Sequence, residues 1–215
     1  MFSRKRPRHV RSGDAPPSDA LAQSLAGEED VAPERGPYDV KHAPAGVARL
    51  DLGSLQIPAV EGVEVRVQAS PDGVIEHVVL VSGAGAVEFG AFAAPRSEGI
   101  WDEVREEMVR EMAAANIAAR QVDGTYGPEL LARLPDPEGR LVDVRYVGVD
   151  GPRWFVRATF QGPVAVDPAQ APVLAECLEG LVVVRDDEPR PVREPLPMRL
   201  PREMAEQAQG APQDG

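Results

Sequence analysis

Hydrophobic and polar residues alternate over residues 63–67, where Val63, Val65 and Val67 are separated by Glu64 and Arg66. Successive side chains of a strand point to opposite faces, so this alternation predicts a half-buried strand with one wet face. Residues 75–81 (Ile-Glu-His-Val-Val-Leu-Val) are apolar almost throughout and predict a strand covered on both faces. Pro71-Asp72-Gly73 supplies the turn between them, and Ser82-Gly83-Ala84-Gly85 the next turn, before a third strand at residues 87–93. Beyond Pro95 the period changes. Trp101, Val104, Met108, Met112, Ala115 and Ala119 fall on one stripe at a period of about 3.6 residues, which predicts a long amphipathic helix, with Ser97 as its N-cap and its end near Ile117.

A second block of strands follows. Residues 130–134 form a short apolar run, and residues 141–149 and 154–161 read as a hairpin closed by Asp150-Gly151-Pro152-Arg153. Trp154, Val156, Ala158 and Phe160 make one face of its second strand, and Arg157, Thr159 and Gln161 the other. Asp167-Pro168 suits a helix start, although Pro172 would break an interior turn, so the regular helix containing Leu174, Cys177 and Leu178 begins there and ends at Gly180. Residues 181–184 predict a last buried strand. Hairpins dominate and strand and helix do not alternate regularly. The expected class is α+β, a mainly antiparallel sheet with the long helix and one short helix packed on one face.

Proline and charge set the expected boundaries. The 22 prolines crowd the two ends, six in residues 1–45 and six in residues 187–215. That division predicts a charged, disordered head at residues 1–45, one domain at residues 46–186, and a Pro-rich extended or disordered tail at residues 187–215. The formal net charge is −12, and residues 46–186 carry 12 Lys or Arg against 22 Asp or Glu. So acidic a domain repels phosphate backbones, which leaves Arg4, Lys5, Arg6, Arg8 and Arg11 in the head as the expected contact for nucleic acid or an anionic membrane.

The candidate chemistry is sparse. One cysteine, Cys177, excludes an internal disulfide and has no His or Lys partner nearby in sequence. No Cys/His spacing suits zinc, no glycine spacing suits a phosphate loop, and no cofactor is expected. Glu103, Glu107 and Glu111 form an acidic ridge, which reads as a solvated helix face because other ligand elements are lacking. His77 reads as a sheet histidine with one satisfied hydrogen bond. No apolar run follows the basic amino terminus as a signal peptide requires, so a soluble, cytoplasmic protein is expected. The densest cluster of polar and aromatic groups is Arg96, Glu98, Trp101 and Asp102 at the helix entrance. If this turn meets the hairpin turn, Arg96 and Arg153 clamp an anion, Trp101 or Trp154 forms a flat wall, and Glu98 or Asp102 orients a polar group. The competing expectation is that both tryptophans are buried and both arginines are paired.

Four stretches carry a family resemblance: Ala93-Ala-Pro-Arg-Ser-Glu-Gly-Ile-Trp-Asp-Glu-Val-Arg, Val122-Asp-Gly-Thr-Tyr-Gly, Val147-Gly-Val-Asp-Gly-Pro-Arg-Trp-Phe-Val-Arg and Val182-Val-Val-Arg-Asp-Asp-Glu-Pro-Arg-Pro. Over residues 38–201 the chain resembles the uncharacterised actinobacterial family called domain of unknown function 3710. Its preference for Arg over Lys, with Lys5 and Lys41 the only lysines, fits a high-GC bacterium. The family implies no activity, cofactor or catalytic residue. The function is unknown at this point. The expected class is a non-enzymatic protein-binding or adaptor domain, and the alternative is a small anionic-ligand site at the two turns.

Overall fold

A computed structural model describes residues 32–70, 74–96 and 98–201. The basic cluster at Arg4 to Arg11, the Pro71-Asp72-Gly73 turn, Ser97 and residues 202–215 lie outside the described residues. Among the described residues no helix is long and apolar enough to cross a membrane.

The described residues form an α+β fold, with two mainly antiparallel sheets and three α-helices. The larger sheet has seven strands in the order β4 (Glu64–Ala69), β5 (Ile75–Ser82), β6 (Gly85–Ala93), β10 (Trp154–Gln161), β9 (Leu141–Gly151), β8 (Gly127–Pro135), β7 (Ala119–Gly124), every pair antiparallel. The central register places Val156 opposite both Ala91 and Val149. The smaller sheet has the order β1 (Tyr38–Asp39), β11 (Val182–Val183), β3 (Leu55–Pro58), β2 (Arg49–Asp51), with β1 parallel to β11. The strand expected at residues 181–184 therefore belongs to a second sheet. Its short, buried Val-Val run gives no sequence signal of which partner it will choose.

The helices are α1 (Trp101–Ala114), α2 (Pro163–Val166) and α3 (Pro172–Glu179). They do not share one face of the sheet, contrary to expectation. On β10, Trp154, Val156, Ala158 and Phe160 enter the main core with Leu174, Cys177 and Leu178 of α3, whereas Phe155 packs with Trp101 of α1. Strand alternation puts these two sets on opposite faces. The larger sheet is thus a middle layer, with α1 on one side and the smaller sheet, α2 and α3 on the other. α1 is also shorter than the predicted stripe: its C-cap is Ala115, Asn116 takes a positive φ of 56°, and Ala119 already belongs to β7.

Packing extends past both expected boundaries. Before residue 46, β1 pairs with β11, and the Asp39 carboxylate accepts from the Trp154 indole N–H at 3.2 Å. After residue 186, the Pro-rich chain wedges into the larger sheet. β5 pairs with β6 only from Val79 to Ser82, and the gap that opens beyond is filled by residues 193–199. Arg193 N donates to the Ala93 carbonyl, and Leu196 N to the Ala91 carbonyl, each at 2.8 Å; on the other side Ile75 N donates to the Met198 carbonyl at 3.1 Å. Prolines at 195 and 197 cost nothing here, because the N–H groups that reach acceptors are those of Arg193, Leu196 and Arg199. Leu196 and Met198 are core residues. The segment is extended, as expected, and it is an integral strap.

Candidate functional site

The two turns meet through a residue that the sequence did not single out. Asp150 accepts from Ile100 N at 2.8 Å and from Trp101 N at 3.2 Å, so a β9 carboxylate caps α1 in place of a local side chain. This satisfies otherwise orphaned helix donors and places negative charge at the positive end of the dipole. The rest of the expected cluster is dispersed. Trp101 is buried with its indole N–H donating to the Pro128 carbonyl at 2.7 Å, and Trp154 is buried on the opposite face of the sheet. Asp102 pairs with Arg105 at 2.6 Å, and Arg153 with Asp187 at 3.2 Å. Arg96 and Glu98 are exposed and make no ion pair among the described residues. Neither tryptophan offers a free wall. The acidic ridge is partly neutralised from a distance: Arg193 of the strap reaches Glu103 at 3.0 Å and Glu107 at 2.5 Å, and Glu111 has no ion pair among the described residues. His77 hydrogen-bonds Glu88 on the neighbouring strand at 2.8 Å.

Among the described residues, two of the concavities bring polar and apolar groups together. The first is a groove of about 510 Å³ where α1 leaves the larger sheet uncovered. Met108 and Met112 form its helical wall, Val142, Val144 and Tyr146 its floor, and residues 134–137 its outer rim. Arg157 lies between this groove and a smaller one of about 240 Å³ on its far side, sharing Met108 and Glu111 with both. Its guanidinium stacks over Phe92, 5.4 Å from the ring centroid, and has no carboxylate partner among the described residues. Burial pushes the Tyr146 hydroxyl above its ordinary value, opposed by the nearby Arg157 charge.

The second is a cavity of about 450 Å³ beneath the β7–β8 turn, walled by Val147, Phe160, Val164 and Leu178. At its base Glu129, 3% exposed, pairs with Arg145 at 2.9 Å. Burial raises the Glu129 carboxyl above its usual range, and Arg145 opposes that shift. The Arg145 Nε and Nη2 donate to the Ala165 and Val166 carbonyls at 2.5 and 3.1 Å, tying down α2. Tyr126 donates to the Gly36 carbonyl at 2.8 Å, and desolvation raises its hydroxyl well above the ordinary value. Cys177 is inert: burial, with the Glu176 charge, pushes its thiol up to about 12. Sequence patterning overlooked Glu129, although a glutamate leading an apolar run, five residues after Asp123-Gly124, is an available signal of a buried charge.

The model of the family described as "Protein of unknown function (DUF3710)" matches residues 36–207. The chain belongs to that family. No curated protein matches the sequence. One similar solved structure is a 1.50 Å crystal structure from Bacteroides thetaiotaomicron VPI-5482, 14% identical over 64% of this chain and 48% of that one, with a TM-score of 0.36. This chain therefore spans about half the length of that one. The DUF3710 match includes the strap, in agreement with its place between β5 and β6.

The stretches that identify DUF3710 do structural work at their centres. A Cβ at Gly148 would run into the Trp101 indole, one at Gly99 or Gly151 into Asp150 or Trp154, and one at Gly124 into the Glu129 carboxylate. Gly99, Trp101, Gly148 and Asp150 form one interlocking joint between α1 and β9. Arg185 and Arg190, both on Asp186, fold the fourth stretch into a tight ionic knot. The centres of these stretches thus hold the layers together, whereas Arg157 at the end of the third lines the groove, and Val147 at its start and the residues around Gly124 line the cavity.

Proposed function

We propose that this domain binds another protein, and that the partner inserts an apolar segment into the groove beside α1. The observation that supports this most directly is the pairing of a methionine wall, Met108 and Met112, with an uncompensated cation, Arg157, on a sheet face otherwise open to solvent. Methionine side chains adapt to varied apolar shapes, and a half-buried guanidinium with free donors seeks an acceptor oxygen. The segment that fits presents apolar side chains to Met108 and Met112 and a carbonyl or carboxylate oxygen to Arg157. A basic residue flanking it meets Glu111 on the rim.

Photo-crosslinking in the native host tests this reading. A benzoylphenylalanine at position 108 is expected to capture a discrete partner, and Arg157→Ala in the same chain to remove that product. The same probe at Val166, on the other side of the sheet, is expected to capture nothing. Equal capture from both positions, or none from position 108, overturns the groove as the docking site.

A further inference from the structure

We propose that the cavity beneath the β7–β8 turn is a binding site for a small organic cation, an amine with an apolar body. Its occupant is independent of whatever fills the groove beside α1, since the cavity lies on the opposite side of the larger sheet.

The cavity's walls and charges point the same way. Protein interiors pack as densely as organic crystals, so a merely structural ion pair is expected to have side chains packed over it. Over Glu129 there is instead about 450 Å³ of space, within the range of small-molecule pockets, faced by Val147, Phe160 and Leu178. Glu129 is positioned deliberately in the local sense that Gly124 gives way to it: any side chain at 124 would occupy the volume of the carboxylate. Its oxygens have about four acceptor sites, of which Arg145 and the Thr125 backbone engage two.

Arg145 is held in place by its own partners and does not outweigh the carboxylates. Each of its three guanidinium nitrogens already donates, to Glu129, Ala165 and Val166. At the mouth stand Asp123 and Glu179, so the lining carries three carboxylates against one guanidinium, with Arg35 outside the lining reaching Glu179 at 3.6 Å. An anion entering meets the repulsion of the carboxylates, and three of the five N–H donors of Arg145 are already engaged. An ammonium group finds unused carboxylate lone pairs at the base and acidic charge along its path, and its hydrocarbon body meets the apolar walls.

The test uses the full chain and two-dimensional amide NMR, with phenethylammonium and n-hexylammonium as probes. Saturable shifts are expected at Thr125, Tyr126, Val147 and Val164. Phenylacetate and 2-phenylethanol, which share the aromatic body without the positive charge, are expected to bind at least about tenfold more weakly, a difference of roughly 1.4 kcal/mol. Glu129→Gln is expected to cost the amines about tenfold in affinity, and Ala175→Phe, on the cavity wall, to abolish binding. Should Glu129→Gln fail to fold, the exposed mouth variants Asp123→Asn and Glu179→Gln, each expected to weaken the amines by about twofold to threefold through lost attraction, decide instead. Absence of shifts with either amine up to about 10 mM, or binding of phenylacetate as tight as that of phenethylammonium, overturns the assignment.

Discussion

The two faces of the larger sheet are made by the same strands and finished differently. On one side the small sheet, α2, α3 and the strap cover β5, β6 and β10 with Leu80, Val87, Phe89, Trp154, Val156 and Leu174, all essentially without solvent contact. On the other, α1 alone lies across the strands. It buries Trp101 against Phe155, 5.9 Å between centroids, and leaves Arg66, His77, Glu88, Arg157 and Thr159 outside its footprint, some of them at the groove. The closed face supplies the apolar burial that a domain of this size needs to outweigh conformational entropy. That surplus lets the second face stay incompletely covered, with adaptable and charged groups where packing does not dictate the residue.

The same substitution on the two faces breaks or sustains this contrast. Leu80→Ala on the closed face is expected to cost about 2–5 kcal/mol, because the site is fully enclosed and the cavity cannot collapse. Leu134→Ala at the groove rim, half-exposed, is expected to cost about 1 kcal/mol or less. Urea titrations of both variants measure the difference, and equal losses would show that the groove face contributes to the core as much as the closed one.

Next in size is the strap, which reaches both sides through Leu196 and Arg193. Leu196→Ala removes a buried side chain and is expected to destabilise by about 2–4 kcal/mol, whereas Val192→Ala, with half its surface in water, is expected to change stability by no more than about 0.5 kcal/mol. If Leu196→Ala is silent in denaturation, the strap is an ornament on a core that ends near β11, as proline content suggests.

How much of this was legible in the sequence follows from the range of the interactions. The β9–β10 hairpin, the strand at residues 75–81 and the helix starting at Pro172 have local signatures, a period or a turn residue, and all three form. What was missed is non-local. Proline reads as a mark of irregular chain because it lacks an N–H, yet the strap pairs through the residues between its prolines. Trp101 and Trp154 look like neighbours because their turns meet, and the pleat sends them to opposite faces. The N-cap of α1 comes from 50 residues away in Asp150, which no local capping rule anticipates.

That joint gives a third, smaller contrast. Asp150→Ala removes the acceptor of two helix-start amides and is expected to cost about 0.5–2 kcal/mol, with fraying confined to the first turn of α1 and the β10 amides unaffected in hydrogen exchange. Asp150→Asn keeps an acceptor oxygen and is expected to recover most of the loss. Uniform loss of protection across β10 would show instead that the two faces unfold as one unit with the joint at its centre.

The smallest expected effect is a pH dependence at the seam. A hydrogen bond from Arg190 holds the Asp186 carboxyl below its ordinary value, helped by the Arg190 and Arg185 charges and opposed by slight desolvation. A carboxyl whose folded value is lowered contributes stability that is present above its unfolded value, near 3.9, and is lost as the pH falls through the lower folded value. Asp186 is substantially exposed, so solvent screens much of this and the global change is small. Locally, the knot anchors the start of the strap. Between about pH 5 and pH 3, once the intrinsic pH dependence of exchange is divided out, the Arg193 and Leu196 amides are expected to lose protection before Val156 does. Asp186→Asn is expected to remove that dependence while leaving Val156 unchanged. If the strap amides and Val156 lose protection together in both proteins, the knot does not hold the strap, and the closed face keeps its edge through Leu196 and Met198 alone.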